Sequence, residues 1–202
     1  MPYLLQYPAR VNAPSPSRWL DLAAIVDAVL HDRSVRSEIT LDSTPAPARL
    51  ATHTAALLAD VDVDGNEVGS GRLVILYEPE FQTTWDGNLR CVAFVRANLE
   101  TELVLDSLLL QVGWSWAHDS LVGRGANAVA LSGTVSRNSS QSFGDLAERD
   151  PEGNVEIRVS WTVPDGDDLR NHILAWCDML SMTSGLPPLT EGVVSITRPG
   201  RS

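Results

Sequence analysis

The sequence contains no lysine: all 15 of its Lys and Arg positions are arginine. This absence excludes a Schiff-base lysine for pyridoxal phosphate, a phosphate-loop lysine and the strand lysine of protein kinases. Codon bias in a GC-rich genome is the simplest origin for such a composition. Reactions that depend on a lysine amine therefore lie outside the chemistry of this chain.

Positive charge and long apolar runs are also scarce. The formal net charge is −11, so the overall field repels the phosphates of nucleic acids and of an anionic membrane surface. No apolar stretch reaches the length needed to span a bilayer, and residues 1–17 lack the apolar segment of a secretory signal. We therefore expect a cytoplasmic protein that binds neither nucleic acid nor membranes.

Cysteine and histidine are too few and too scattered to predict a metal site. Cys91 and Cys177 lie far apart, which favours buried free thiols, and the four histidines show no ligand spacing. His118, Asp119 and Ser120 supply the residue types of a hydrolase triad, but neighbours on a helix point about 100° apart. We expect no metal, cofactor or catalytic residues, which favours a non-enzymatic protein and leaves an enzyme as the alternative.

The segment Asp60–Glu67 supports two interpretations. Its Asp-x-Asp-x-Asp-Gly opening is typical of an EF-hand calcium loop, but the twelfth position, which carries a bidentate Glu in such loops, is Gly71. The alternation of apolar and polar residues before Asp64-Gly65, and the apolar run after it, are typical of a β-hairpin. We predict the hairpin, with the Asp62 and Glu67 side chains directly opposed.

Periodicity and turn signals predict an α+β fold. Helices are predicted at residues 15–31, at 99–121 with a break near Asp106 or Gly113, and at 168–184. Strands are predicted at 37–41, on both sides of the hairpin turn, and at 89–97, 129–137 and 155–163. Short connections imply an antiparallel sheet, of about five to seven strands, with N-terminal, central and C-terminal helices packed on it. We expect a flexible arm over residues 1–14 and a single domain over 15–202.

Three strand arginines and two tryptophans are the candidate binding residues. If their strands are neighbours, Arg96, Arg137 and Arg158 would converge on an anion, with salt bridges to the abundant carboxylates as the simpler alternative. Trp114 and Trp116 would share one face of a strand, but not of a helix, and such a pair could line an apolar groove for a partner. The alternative is that one packs in the core while the other covers the sheet edge.

Sequence blocks along nearly the whole chain carry a family resemblance. The blocks are Asp60–Gly65, Gly71–Val74, Trp85–Gly87, Arg90–Val92, Phe94–Ala97, Val112–Trp116, Ser132–Val135, Ser142–Gly144, Glu156–Trp161 and Gly185–Leu189. Over about residues 17–194 the chain resembles the uncharacterised actinobacterial domain-of-unknown-function 3000 family. The resemblance implies an actinobacterial source and a cytoplasmic protein, and it brings no activity, cofactor or catalytic residue with it.

Two hypotheses about function follow. The first is a non-enzymatic interaction or adaptor module, chaperone-like, that binds another protein or a second copy of itself through the sheet face or the Trp114/Trp116 region. Its element order is similar to that of type III secretion chaperone-like proteins, which are acidic, dimerise and bind extended partner segments, although this chain has an extra strand. The second is an enzyme or small-ligand binder that recognises an anionic group through Arg96, Arg137 and Arg158.

Overall fold

The computed structural model describes residues 16–47, 49–148 and 152–187, with side chains from Arg18 onward, and the predicted arm over residues 1–14 lies outside these ranges. Four α-helices lie within them: α1 (Pro16–Val29), α2 (Thr101–Leu105), α3 (Leu109–Gly123) and α4 (Leu169–Thr183). The described residues also form six strands: β1 (Ile39–Thr44), β2 (His53–Val63), β3 (Asn66–Gln82), β4 (Gly87–Leu99), β5 (Val129–Ser140) and β6 (Glu152–Val163).

The six strands form one antiparallel sheet in the order β1-β2-β3-β4-β6-β5. Strands β1 to β4 are sequential neighbours because short turns join β2 to β3 and β3 to β4. Helices α2 and α3 interrupt this series, and β6 then pairs with β4 on one side and β5 on the other. The predicted α+β class, with an antiparallel sheet of five to seven strands and helices packed on it, is confirmed.

The β2–β3 hairpin has the turn that the sequence predicts. Asp64 and Gly65 have φ angles of 54° and 82°, the left-handed pair that a two-residue type I′ turn requires. Asp62 stands opposite Glu67 as predicted, and its carboxylate accepts a hydrogen bond from Gly65 N at 2.8 Å. The aspartates of this segment therefore shape a turn, and the described residues contain no cluster of three or more His, Cys, Asp or Glu suited to a metal ion.

The covered face of the sheet, which carries the helices, holds the main hydrophobic core. On the central strands it is formed by alternate residues: Leu73, Ile75 and Tyr77 of β3, Cys91, Ala93 and Val95 of β4, and Ile157, Val159 and Trp161 of β6. Helix α4 packs across these strands, and Gly71 on β3 gives it room. A Cβ at Gly71 would lie 2.8 Å from Leu180 Cδ2 and 3.1 Å from Trp176 Cζ2, so a larger side chain would force these two α4 side chains to shift.

The central helical region consists of two helices. The break falls at residues 106–108, where the Asp106 carboxylate accepts a hydrogen bond from Leu108 N at 2.8 Å, and α3 passes through Gly113 without interruption. Of the two predicted break points, Asp106 is therefore confirmed and Gly113 is wrong. None of the helices in the described ranges combines the length and apolar character needed to cross a bilayer.

A buried polar link ties the start of α4 to the sheet. The His172 side chain is fully buried, and its Nδ1 lies 2.9 Å from Trp161 Nε1 while its Nε2 lies 3.1 Å from Asp167 Oδ2. Because an indole N–H can only donate, Nδ1 accepts and Nε2–H donates to the carboxylate. Asp167 Oδ2 also accepts from Asn127 N at 2.8 Å. One neutral histidine therefore connects β6, α4 and the segment leading into β5.

Candidate binding groove

The second face of the sheet is left open by the described helices. We call it the open face; on the central strands it comprises Arg72 and Val74 of β3, Arg90, Val92, Phe94 and Arg96 of β4, and Glu156, Arg158, Ser160 and Thr162 of β6. At one end it is covered by Ala46, Ala51 and Trp85, which pack on Ala56, Val74 and Leu76. The rest of the face combines apolar side chains with arginine, which is unusual for a face that only meets water.

Strand register places two arginines on either side of one aromatic ring. Arg72 pairs with Phe94 across β3 and β4, and Phe94 pairs with Arg158 across β4 and β6. The Arg158 guanidinium carbon lies 5.1 Å from the centroid of the Phe94 ring, within the range of a cation–π contact. Thr134 of β5 continues the row beyond Arg158. The row therefore presents charge, ring, charge and hydroxyl in order across four strands.

These side chains line a groove that encloses about 500 Å³. Its apolar floor includes Val74, Val92 and Phe94, and Ser132, Thr134 and Ser160 add hydroxyl groups. Pro47 borders the groove. Among the described lining residues two are arginines, Arg72 and Arg158, and none is acidic. The groove thus carries the opposite sign of charge from the chain as a whole, whose net charge is −11.

The two groove arginines are held differently. Arg72 donates from one terminal nitrogen to Pro45 O at 3.2 Å, and its Nε is buried without a hydrogen-bond partner among the described residues. Arg158 pairs with Glu156 at 2.7 Å, but its side chain is 57% exposed. An exposed ion pair of this kind contributes little and exchanges readily, and a buried N–H without an acceptor is unfavourable. Both guanidinium groups therefore retain the capacity to bind an incoming anion.

Arg90 supports the groove from one end. Its guanidinium donates to Ser160 Oγ at 2.7 Å and to Thr162 Oγ1 at 3.0 Å, and the Thr162 hydroxyl donates to Trp85 O. Burial lowers the pKa of Arg90 from its ordinary value. Because the Ser160 oxygen accepts from Arg90, its own O–H is left to donate toward the groove. Arg90 is therefore a positioning residue for that hydroxyl.

The three arginines named from the sequence do not converge. Arg158 lines the groove, and Arg96 lies on the open face in the next row, where a polar depression of about 250 Å³ is lined by Glu67, Ser70 and Asn98. Arg137 lies on the covered side, because it pairs with buried Val155, and it donates to the backbone oxygens of Val104 and Asp106 at 3.2 and 2.7 Å. A single anion site built by Arg96, Arg137 and Arg158 is therefore excluded by the strand faces.

Arg72 and Phe94 are central residues of the groove that were not predicted from the sequence. The hairpin turn alone does not place Arg72, because a register shift between Val61 and Asp62 follows the Asp64-Gly65 turn and reverses the face of the β3 residues beyond it. The pairing of β4 with β6, which brings Arg158 to the other side of Phe94, joins residues about sixty positions apart. No local pattern encodes that neighbour relation.

Trp114 and Trp116 lie on helix α3 and not on a strand, so they do not share a face. Trp114 is 37% exposed, whereas Trp116 packs against the core. Trp116 also borders an apolar hollow of about 190 Å³, between α2, α3 and the end of α4, which is lined in addition by Leu103, Leu108, Val112 and Met182. The groove expected between the two tryptophans is therefore lined by one of them.

The remaining candidates for chemistry are structural. Ser120 is buried and donates to Ala117 O at 3.1 Å, away from exposed His118 and Asp119, whose side chains are 3.3 Å apart. His118, Asp119 and Ser120 therefore do not form the nucleophile, base and orienting group of a triad. Both cysteines are buried and free, as predicted, and burial raises the pKa of each thiol to about 12, which keeps them protonated and unreactive near neutral pH.

Residues 21–194 match the model of the family described as protein of unknown function DUF3000. The match covers the groove residues of β3, β4, β5 and β6. No curated protein and no solved structure matches this chain. Since the family match spans most of the sequence, it agrees with the resemblance carried by the sequence blocks, and the chain belongs to the DUF3000 family.

Proposed function

We propose that this protein is a non-enzymatic interaction module that holds a segment of another protein on the open face of its sheet. The observation that carries the proposal is the groove of about 500 Å³ beside Phe94, which the described helices leave uncovered. A concave site with an apolar floor and a few oriented polar groups is the usual form of a binding site. An extended segment laid across the strands would bury Val92, Phe94 and the stems of the two arginines.

The character of the lining supports binding over catalysis. Among the described residues that face the groove are arginines, hydroxyls and apolar groups. Such side chains recognise the charge and shape of a partner. General acid–base catalysis at neutral pH, by contrast, needs a group with a pKa near 7. Ser160 accepts from Arg90, so its hydroxyl is paired with a cation and not with a base. The groove is therefore suited to hold a partner without changing it.

Site-specific photocrosslinking in the source cells tests the proposal. p-Benzoylphenylalanine would replace Val92, which is 40% exposed in the groove, or Val122, which is 64% exposed on α3. We expect a discrete protein adduct from position 92 that Phe94→Ser abolishes, and none from position 122. Adducts of equal yield from both positions, or adducts insensitive to Phe94→Ser, would contradict the assignment of the groove.

A small anionic ligand is the second candidate function. The observation in its favour is the buried Nε of Arg72, which lacks a partner among the described residues and lies beside the groove. A ligand that binds the folded state raises the melting temperature. Under this alternative, millimolar phosphate or citrate raises it, and Arg72→Gln removes the rise. An unchanged melting temperature counts against this candidate and leaves the first in place.

The same proposal places the protein in the cytoplasm of an actinobacterium. The composition supports the source, since a chain with 15 arginines and no lysine is what a GC-rich genome encodes. The two free buried cysteines suit a reducing compartment. The proposed partner is another protein, and the mass of the crosslinked adduct distinguishes it from a second copy of this chain.

A further inference from the structure

We infer that the groove selects an acidic, extended segment of its partner, and that Arg72 and Arg158 determine this specificity. The inference rests on the proposed function and adds the chemistry of the partner to it. Three features of the groove support it: its charge, the hydrogen bonding of the two arginines, and the placement of the apolar floor between them.

The charge of the groove is the first feature. The chain has 26 acidic and 15 basic side chains, yet the described residues lining the groove include Arg72 and Arg158 and no carboxylate. The ion pair with Glu156, which lies outside the groove lining, offsets part of the charge of Arg158, whereas Arg72 has no carboxylate partner among the described residues. Complementary charge steers encounter and rejects wrong partners. An acidic segment fits this surface, while a basic segment is attracted to the rest of the protein but repelled at the groove.

The state of the arginines is the second feature. The Arg72 Nε–H is shielded from water without an acceptor among the described residues, so its present orientation leaves one donor unsatisfied. A carboxylate in the groove offers an acceptor if the guanidinium turns toward it, and the planar donor fork of arginine matches a carboxylate with two hydrogen bonds. Arg158 lies over the Phe94 ring, and its side chain is 57% exposed, so a carboxylate in the groove can replace Glu156 as its partner.

The placement of the apolar floor is the third feature. Arg72 on β3 and Arg158 on β6 are separated by β4, so their backbones lie about 10 Å apart, which is two strand spacings. Phe94 and Val92 of β4 fill the interval. In an extended segment, residues on one face recur about every 7 Å. A segment whose groove-facing residues are acidic and apolar in alternation matches the order of charge and ring; its two acidic residues lie about 14 Å apart, and the long arginine side chains span the difference from about 10 Å.

Peptide display against the purified full chain tests the inference. A library of random dodecapeptides would be selected on the wild-type protein, and enriched peptides would be resynthesised with a fluorophore for titration. We expect enriched peptides to be rich in Asp and Glu interleaved with apolar residues. Their affinity should fall at least about 10-fold in Arg72→Gln and in Arg158→Gln. It should also weaken as salt rises from about 0.05 to 0.5 M.

Arg96→Gln is the matched control, because Arg96 lies on the open face of the same sheet but does not line the groove. Its affinity for the peptides should stay within about 2-fold of the wild type. Far-ultraviolet circular dichroism and thermal unfolding confirm that each variant is folded. Equal losses in Arg96→Gln and in the two groove variants would overturn the inference, since they would show attraction by overall charge.

The outcomes separate this inference from the proposed function. Enriched peptides that are neutral or basic, and whose binding is lost in Phe94→Ser, overturn the acidic specificity and leave the groove as a protein-binding site. Peptides whose binding is unaffected by Phe94→Ser overturn both. Absence of enriched peptides, together with Arg72-dependent binding of inorganic phosphate, overturns both in favour of the small-ligand candidate.

Discussion

Strand β4 contributes to two faces that differ in almost every physical respect. On the covered face, Cys91 and Val95 are fully buried against the helix layer. On the open face, Val92 is 40% exposed and Phe94 lies between two arginines. The covered set is apolar throughout, whereas the open set alternates Val92 and Phe94 with arginines. The arginines therefore distinguish the two faces, and Val92 and Phe94 are apolar residues outside the main core.

The contrast indicates that the covered face stabilises the fold, while the open face is available for recognition. Residues of the covered face are fixed by packing on α4, as the close approach at Gly71 illustrates. On the open face, outside the cluster of Ala56, Val74 and Leu76, Val92 and Arg158 are exposed, so the fold places weaker demands on them. Side chains such as Phe94 and Arg158 are free to be selected for recognition, because changing them alters little of what stabilises the protein.

The largest effect is expected for Trp176→Ala on the covered side. Trp176 is fully buried over Gly71, and removing a buried aromatic side chain costs about 3–5 kcal/mol of the free energy of unfolding. Phe94→Ala is the matched aromatic truncation on the open face and should cost less than about 1.5 kcal/mol. Urea denaturation measures both. Equal losses would show that the open face stabilises the fold as much as the covered face does.

Two valines on β4, one on each face, allow the same Val→Ala substitution to be compared between the covered and the open face. Val95→Ala on the covered face should lower the free energy of unfolding by about 2 kcal/mol, from lost burial and the cavity left behind. Val92→Ala in the groove should change it by no more than about 0.5 kcal/mol. Chemical denaturation measures both changes, with the same dependence of the unfolding free energy on denaturant concentration used for the two variants. A reversed order would contradict the assignment of the two faces.

Protonation of His172, on the covered side of the sheet, should lower the free energy of unfolding. Burial lowers the pKa of His172 below its ordinary value, although Asp167 opposes the shift. The unfolded state therefore takes up a proton more readily than the folded state, so stability is present above about pH 6.5 and falls as the pH drops below it. A proton on Nδ1 also breaks the bond from Trp161. We expect the free energy of unfolding to fall between pH 7.5 and 5.

His172→Gln is the control for this pH dependence. The variant keeps the other three histidines and has no titrating group at position 172, so its unfolding free energy should vary less between pH 7.5 and 5. Asp167 does not contribute in this window. Burial alone would raise its pKa, but hydrogen bonds from Asn127 N and His172 lower it below the ordinary value, and its effect appears only in stronger acid. Parallel pH profiles for both proteins would refute the role of His172.

The smallest effect is expected for the arginines. Arg158→Gln on the open face removes an exposed ion pair with Glu156 and should change the unfolding free energy by less than about 0.5 kcal/mol. Arg124→Gln removes a two-point contact with Asp178 that joins the end of α3 to α4 and should cost about 1 kcal/mol. Thermal unfolding compares them. A larger loss in Arg158→Gln would mean that the groove arginine is needed for folding.

Much of the fold was predictable because its signals are local. The Asp64-Gly65 turn, the alternation of β6 and the cap of α4 at Asp168, which accepts from Arg170 N at 2.9 Å, follow from nearby residues. The groove was less predictable. Arg137 and Arg158 look alike as strand arginines, yet they lie on opposite faces, since β5 follows a register shift between Val129 and Ser132. A shift of one residue reverses the face of every side chain after it.

The sequence by itself determined the α+β class, the hairpin in place of a calcium loop, the missing lysine chemistry and the family. These follow from composition, from period-two and helical patterns, and from turn residues that act over a few positions. The tertiary structure alone decided that β6 pairs with β4, that Arg72 meets Arg158 across Phe94, and that helices cover one face only within the described residues. The physical reason is that strand neighbours are chosen by long-range burial of the core, which brings distant residues together without leaving a local pattern in the sequence.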